Sequence, residues 1–271
     1  MLEMRVRLIP PRSDKAAMAL AIDSVLFRNM EAALGRGEEV EPIFRVHRFS
    51  KPAVIMSYMQ KVDGRFDAEL ARTLGVDLTF RDTGGGHMYF GPDDIQYTFL
   101  APRTFFEGDL IAHYRKVNSF IVEALKIAGY DAECGETSIR INDDGKKIVA
   151  GAARKYGVRS TLQQGGILVK DYTEDVFNLV MAYDWERRKW RENVTSLGRY
   201  GPAVREVIGT AYDVFDGDTS ELSEQEEKDA RVLCREVYDN KTLIYAGTRE
   251  QFLCMVAGRK KSDKDKVQVD I

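Results

Sequence analysis

No run of apolar residues in this chain is long enough to cross a bilayer. The opening segment MLEMRVRLIPPRSDK lacks the apolar centre of a secretion signal. Cysteine is scarce and odd in number: Cys134, Cys234 and Cys254 lie far apart, which excludes a disulfide framework and makes a reducing cytoplasm the expected location. Histidine is as scarce. His47, His87 and His113 are scattered, with no close Cys/His pairing, so no metal site is expected. No Gly-Lys-Ser/Thr follows the Gly84–Gly86 run, so it is not a P-loop. A Gly-x-Ser-x-Gly elbow is absent. The net charge of −3 leaves no electrostatic footprint for a nucleic acid or a membrane surface.

What is present reads as an ordinary globular chain, 44% hydrophobic and 31% charged. Strand patterns cover Met4–Ile9, Pro42–Phe49, Ala53–Tyr58, Asp77–Arg81, Met88–Phe90, Ile95–Ala101, Thr137–Asn142, Lys147–Lys155 and Thr161–Val169. Helical periodicity covers Asp14–Ala33, Phe66–Leu74, Leu110–Ala128 and Glu174–Met181, and then Pro202–Tyr212 and Glu221–Tyr238. Strands and helices without regular βαβ alternation predict an α+β fold, one central sheet with helices packed on it. Residues 1–257 are expected to form one domain whose last part, about 200–257, is helical. The charged stretch 258–271 reads as a mobile tail.

Two stretches carry candidate chemistry. In RDTGGGHMYFGPDDIQYTFL (Arg81–Leu100), glycines without a Cβ let the backbone lie against a ligand, and successive N–H groups can cradle an oxyanion. The same run is also what a tight hairpin turn needs. In AECGETSIRINDDGKKIVAGAAR (132–154), Cys134 reads as lying in a Gly-containing loop among polar neighbours, and Lys147 heads a run of small residues. A thiolate near a cation is a nucleophile, and a lysine in a close-packed strand can hold a carbonyl oxygen or carboxylate. The plainer readings are a buried, inert thiol and a surface lysine. Together the two stretches suit acyl transfer. Cys234 and Cys254 read as packing residues, and His47 and His113 as structural ones.

From Met18 to Leu197 the chain resembles the lipoate-attachment superfamily: lipoate–protein ligases, octanoyltransferases and biotin–protein ligases. MALAIDSVL (Met18–Leu26) is similar to the family's first helix, with Asp23 at its acidic position. SYMQKVDGRFD (Ser57–Asp67) resembles the segment that carries a glutamine, here Gln60. Arg81–Thr98 resembles the Arg-x-x-Gly-Gly ligand loop, and GKKIVAGAAR (Gly145–Arg154) the Gly-Lys-Lys-Ile motif with its lysine at Lys147. LQQGGILVKDYTEDVF (Leu162–Phe177) resembles the later strand and helix, and VTSL (Val194–Leu197) also fits.

The resemblance implies a biotin/lipoate protein ligase-like catalytic domain with a mixed or antiparallel sheet. It implies catalytic roles for Cys134 and Lys147. Acyl or ligand contacts fall to Arg81, Gly84, Gly85, Gly86, His87, Gly151 and Gln164. In the transferase form, Cys134 takes an octanoyl or lipoyl group as a thioester from an acyl carrier protein or another donor. The acyl group then passes to a lysine of a lipoyl carrier domain, of the glycine-cleavage H protein or dehydrogenase E2 type. This form needs no cofactor. In the ligase form, ATP and Mg make an acyl-adenylate and Cys134 is incidental. A non-catalytic carrier-binding relative is the third form.

The chain departs from the ligase pattern at Thr137-Ser138, where ligases carry Asn-Asp. Asp94-Ile95-Gln96-Tyr97-Thr98 is closer to the Glu-Leu-Thr-Tyr-Ser of cysteine-dependent transferases. Gln164 replaces the usual histidine. His87 stands where the residue is usually small, and Ala150 and Gly151 shift the small-residue pattern.

Overall fold

The computed structural model describes residues 5–58, 60, 66–141, 145–149, 151–199, 204–246 and 249–257. The strand start at Met4, Asn142, Ala150, the helix start at Pro202 and the tail 258–271 lie outside the described residues, as does most of the segment after Gln60. The elements, in chain order, are β1 (Arg7–Asp14), α1 (Ala16–Gly35), β2 (Ile43–Phe49), β3 (Ala53–Ser57), α2 (Ala68–Thr73), β4 (Asp77–Arg81), β5 (Met88–Phe90), β6 (Ile95–Pro102), α3 (Leu110–Ile127), β7 (Ala132–Cys134), β8 (Ile139–Ile141), β9 (Lys147–Val149), β10 (Ala153–Tyr156), β11 (Ser160–Ile167), α4 (Glu174–Val180), α5 (Asp184–Asn193), α6 (Val204–Asp213), α7 (Glu224–Leu233), α8 (Lys241–Ala246) and α9 (Arg249–Val256).

The fold is α+β, with a mixed central sheet flanked by helices as expected; among the described residues the strands form this five-stranded sheet, β1-β2-β6-β11-β10, and two small ones, β4-β3-β5 and β7-β8-β9. The large sheet is mixed, with β1 parallel to β2 and the remaining pairs antiparallel. Alternation decides its faces. Ile43, Phe49, Leu100 and Leu162 pack toward α1. Phe44, Val46, Tyr97 and Phe99 pack on the other side with Val117, Ile121 and Leu125 of α3. Helix α1 is apolar nearly all round because it is buried between the large sheet, the β3 sheet and α7.

Short polar side chains fix where several helices start. Asp67, Asp109 and Thr173 accept from the backbone N–H three residues on, and Ser223 forms a capping box with Glu226. No helix among the described residues is long and apolar enough to cross a membrane.

The stretch Lys147–Lys155, read as one strand from sequence, is two, β9 and β10, in different sheets. β1 and β2 slip register between Ile9 and Arg12, across Pro10-Pro11, which lack ladder N–H groups. The Tyr212 hydroxyl fills the gap: it donates to the Ile9 carbonyl (2.6 Å) and accepts from Val46 N–H (2.9 Å). On its outer edge β1 meets a later segment, with Val6 N–H on the Asp216 carbonyl, Leu8 N–H on Asp218 and Ser220 N–H on Leu8.

Asp94 ties the β5–β6 turn to the end of β11. Its carboxylate accepts from Gly91 N–H (2.7 Å) and Val169 N–H (2.8 Å). Burial pushes this carboxyl up to about 6 from 3.8, against the pull of the backbone N–H groups. The folded state therefore holds this proton more tightly than the unfolded chain. The contribution is full below about pH 4 and is lost as pH rises through about 6. Relative to Asp94→Asn, the wild type is expected to lose on the order of 3 kcal/mol over that window, measured by urea unfolding at stepped pH.

Candidate active site

Strand β4 delivers Arg81 to the start of the glycine loop and buries it. Its Nη2 donates to the carbonyls of Gly84 (2.8 Å) and Gly86 (2.7 Å), and Nη1 to that of Ile55 (3.2 Å). The guanidinium thus pins the loop to β3, and burial pushes its pKa down to about 10. Only Gly85 needs to be glycine for its backbone, with φ at +101°; a Cβ there would also stand 3.1 Å from Arg81 Nη2. A Cβ at Gly84 or Gly86 would meet nothing within 4 Å.

A narrow cavity of about 60 Å³ opens between this loop, α1 and the large sheet. Leu20, Phe49, Ile55, Met88 and Phe90 supply its apolar wall. Arg81, Gly151 and Gln164, all singled out by the sequence, line it together. Beyond Gln164, β11 is free of β10, whose pairing stops at Ala153↔Gln164. Two glycines follow there. A Cβ on Gly165 would sit 2.3 Å from the Tyr97 ring, and one on Gly166 2.3 Å from the Phe90 ring.

Gln164 is held at both ends. Its Oε1 accepts from Thr83 Oγ1 of the glycine loop (2.9 Å), and its Nε2 donates to Asp23 Oδ2 (2.6 Å). Thr98 Oγ1 donates to the same oxygen (2.8 Å), and Arg45 Nη1 to Asp23 Oδ1 (2.6 Å). The Asp23 and Arg45 side chains are both 0% exposed. Burial pushes the Asp23 carboxyl up while Arg45, Gln164 and Thr98 pull it back. One carboxylate on α1 therefore fixes the floor of the large sheet and, through Gln164, the glycine loop.

A wider cavity of about 560 Å³ is lined by the other end of the same loop. Gly86 and His87 meet Lys147 and the α4–α5 segment there, including Tyr183 and Trp190. Both His87 nitrogens are engaged, Nε2 on the Val180 carbonyl (2.7 Å) and Nδ1 on the Gln60 amide (3.3 Å). The first contact makes Nε2 the protonated nitrogen and Nδ1 the acceptor. The backbone at Lys147 is clamped, its carbonyl accepting from Thr195 N–H (2.9 Å).

Cys134 lines neither cavity. It lies in a strand, β7, where it pairs with Ile139, which in turn pairs with Val149. Lys147 pairs with Arg140. The register of β8 and β9 shifts between these two pairs, at Ile139 and Arg140, and β8 separates β7 from β9. The thiol turns toward α3, 3.9 Å from the Arg115 carbonyl. Burial pushes its pKa up, with Arg115 and Lys126 pulling it down. The structure does not bring the Cys134–Lys147 pair together.

Sequence reasoning missed Thr83, Arg45 and Thr98 as parts of this site, and set His47 aside although it lines the narrow cavity. The signal was polar residues on the inward face of strands: Arg45 and His47 on β2, Gln96 and Thr98 on β6. Among the described residues, no group of three or more His, Cys, Asp or Glu is arranged to hold a metal ion.

Comparison with known proteins agrees with this architecture. Lipoate-protein ligase A subunit 1 of Thermoplasma acidophilum is 27% identical over 248 residues, 83% of this chain and 88% of its own length. Octanoyltransferase LipM of Clostridioides difficile is 24% identical over 229 residues, 77% of this chain and 81% of its own. Among solved structures, the bi-partite lipoate protein ligase of T. acidophilum, studied with its E2 lipoyl domain, superposes with a TM-score of 0.75 at 24% identity, covering 96% of this chain and 99% of that one. The sequence profile of the lipoyl protein ligase A/B catalytic domain matches residues 15–212, and the chain belongs to that family.

Proposed function

We propose that this protein transfers an octanoyl or lipoyl group to the ε-amine of a lysine on a lipoyl carrier domain. The observation that carries the reading is the pair of cavities sharing one loop. A narrow, apolar-walled cavity suits a linear acyl chain, and the wider one beside it presents Lys147 to solvent and to an incoming carrier. In this reading Lys147 holds the acyl carbonyl oxygen as charge develops on it. Arg81 and Gln164 keep the loop and the floor in place around the chain.

The route we favour uses ATP as a substrate. The acid's carboxylate attacks the α-phosphorus and pyrophosphate leaves. The carrier amine then attacks the acyl carbonyl, AMP leaves and the amine loses a proton. Cys134, turned to α3, takes no part. The second reading has Cys134 attack an acyl thioester and hold the group as its own thioester. The LipM octanoyltransferase relatives favour it.

Intact-mass spectrometry of a carrier domain separates the routes. With lipoate and Mg-ATP, wild type and Cys134→Ala acylate the carrier equally in the favoured route. Acylation from an octanoyl carrier thioester without ATP, lost in Cys134→Ala, establishes the other. Acylation under neither condition overturns the transfer reading. The slot itself is tested by Gly166→Val, expected to close the cavity against Phe90 and abolish lipoate binding. Gly84→Ala should leave binding within about twofold.

A further inference from the structure

The narrow cavity has one polar feature that the transfer chemistry leaves unused. His47 of β2 and Gln96 of β6 stand directly opposite each other in the antiparallel ladder, and both line the cavity. They are 3% and 5% exposed. Among the described residues, His47 Nδ1 and both amide atoms of Gln96 are buried without a hydrogen-bond partner. In the adjacent row, Arg45, Thr98 and Gln164 all converge on Asp23. The row of His47, Gln96 and Gly166 has no such carboxylate, and Gly166 brings no side chain to it.

An unpaired buried amide costs about 1–3 kcal/mol, so these groups are poised for something that enters the cavity. Burial, with Arg45 and Arg12 nearby, holds His47 neutral, so the imidazole offers one donor and one acceptor.

Their position in the sheet says which part of a ligand they meet. Gly151 and Gln164 line the cavity, Gly151 just past the end of β9 in the chain and Gln164 on β11, which packs against β9, the strand that Lys147 opens. β2 lies two strands further in, roughly 10 Å away. An extended eight-carbon acyl chain with its carbonyl on the Lys147 side ends at about that depth. There octanoyl carries only C–H bonds, and lipoyl carries two sulfurs, polarisable and able to accept from an N–H.

On the reading of the cavity as the acyl slot, we propose that His47 and Gln96 form a subsite for the sulfur-bearing end of a lipoyl chain and make the protein discriminate against plain octanoyl. A hydrocarbon end leaves the Gln96 amide and His47 Nδ1 unpaired; a dithiolane takes the Gln96 N–H.

The test is binding, independent of turnover. Isothermal titration of the full chain with lipoate and with octanoate is compared for wild type, Gln96→Leu and Gln96→Met, with His47→Leu as a fourth protein. Thermal melting confirms that each is folded. Wild type is expected to prefer lipoate by about tenfold. Gln96→Leu and Gln96→Met should bring the ratio to within about twofold, mainly by tighter octanoate binding, since the apolar end no longer strands an amide. Equal affinities in wild type, or a ratio unchanged in all three variants, overturns the subsite and leaves the transfer reading standing. Binding of neither acid by folded wild type overturns the acyl-slot reading itself, and the subsite with it.

Discussion

Asp23→Ala is expected to destabilise the protein by about 3–5 kcal/mol, the range for removing one partner of a fully buried ion pair. The reason lies in what remains. Arg45 would keep its charge inside the protein with the Ala19 carbonyl as its other acceptor from Nη1, and its Nε and Nη2 already have no partner among the described residues. Thr98 and Gln164 would lose their shared acceptor as well. Urea unfolding measures the loss. The paired substitution Asp23→Leu with Arg45→Met removes both charges and should recover much of it, because a buried pair exchanged for apolar residues of similar size is often close to neutral. A double variant as unstable as Asp23→Ala would show that the hydrogen bonds to Thr98 and Gln164, rather than the stranded charge, dominate.

Lys147→Ala is expected to lower carrier acylation by roughly 10²–10³ in kcat/KM, the range for removing one donor to a developing oxyanion. Stability should move by less than about 0.5 kcal/mol, because the side chain faces the wide cavity while the backbone carries the structural bonds. Transfer to a carrier domain, followed by mass, gives the first number and urea unfolding the second. Lys147→Arg should not restore the rate, since a planar fork cannot replace a compact ammonium at a single oxygen. A variant that acylates at the wild-type rate would remove Lys147 from the chemistry.

The fold was legible where elements are long. Alternation in 43–49 and 95–102 and the apolar faces of 16–35 and 110–127 gave four pillars of the core, and the order of motifs from Asp23 to Gln164 gave the family. The small sheet was legible in part: 139–141 and 147–149 fall inside predicted strands, but the three residues of β7 carry too little alternation to read, so Cys134, expected in a loop, lies in a strand. Helix α5 was missed because none of its residues is buried and its sequence DWERRKWREN shows no apolar face. At the site, Arg81, Gly151 and Gln164 were found by motif. Their support by Asp23, Arg45 and Thr98 depends on which strands lie side by side, and that is a property of the sheet order rather than of any one stretch. The opposed pair His47 and Gln96 is 49 positions apart in sequence and in register only after β2 and β6 meet.

The seam at β1 bears on how the chain is made. β1 leaves the ribosome well before the residues that complete it: the hydroxyl that closes its proline gap belongs to Tyr212, and its outer edge is paired by Asp216, Asp218 and Ser220. Until about residue 220 has emerged, the nascent chain carries an open strand edge with one rung missing, the kind of edge that invites pairing with a neighbour. The large sheet therefore stays incomplete until that segment is made, and a stall anywhere between β11 and Ser220 leaves all five of its strands synthesised with β1 unlatched.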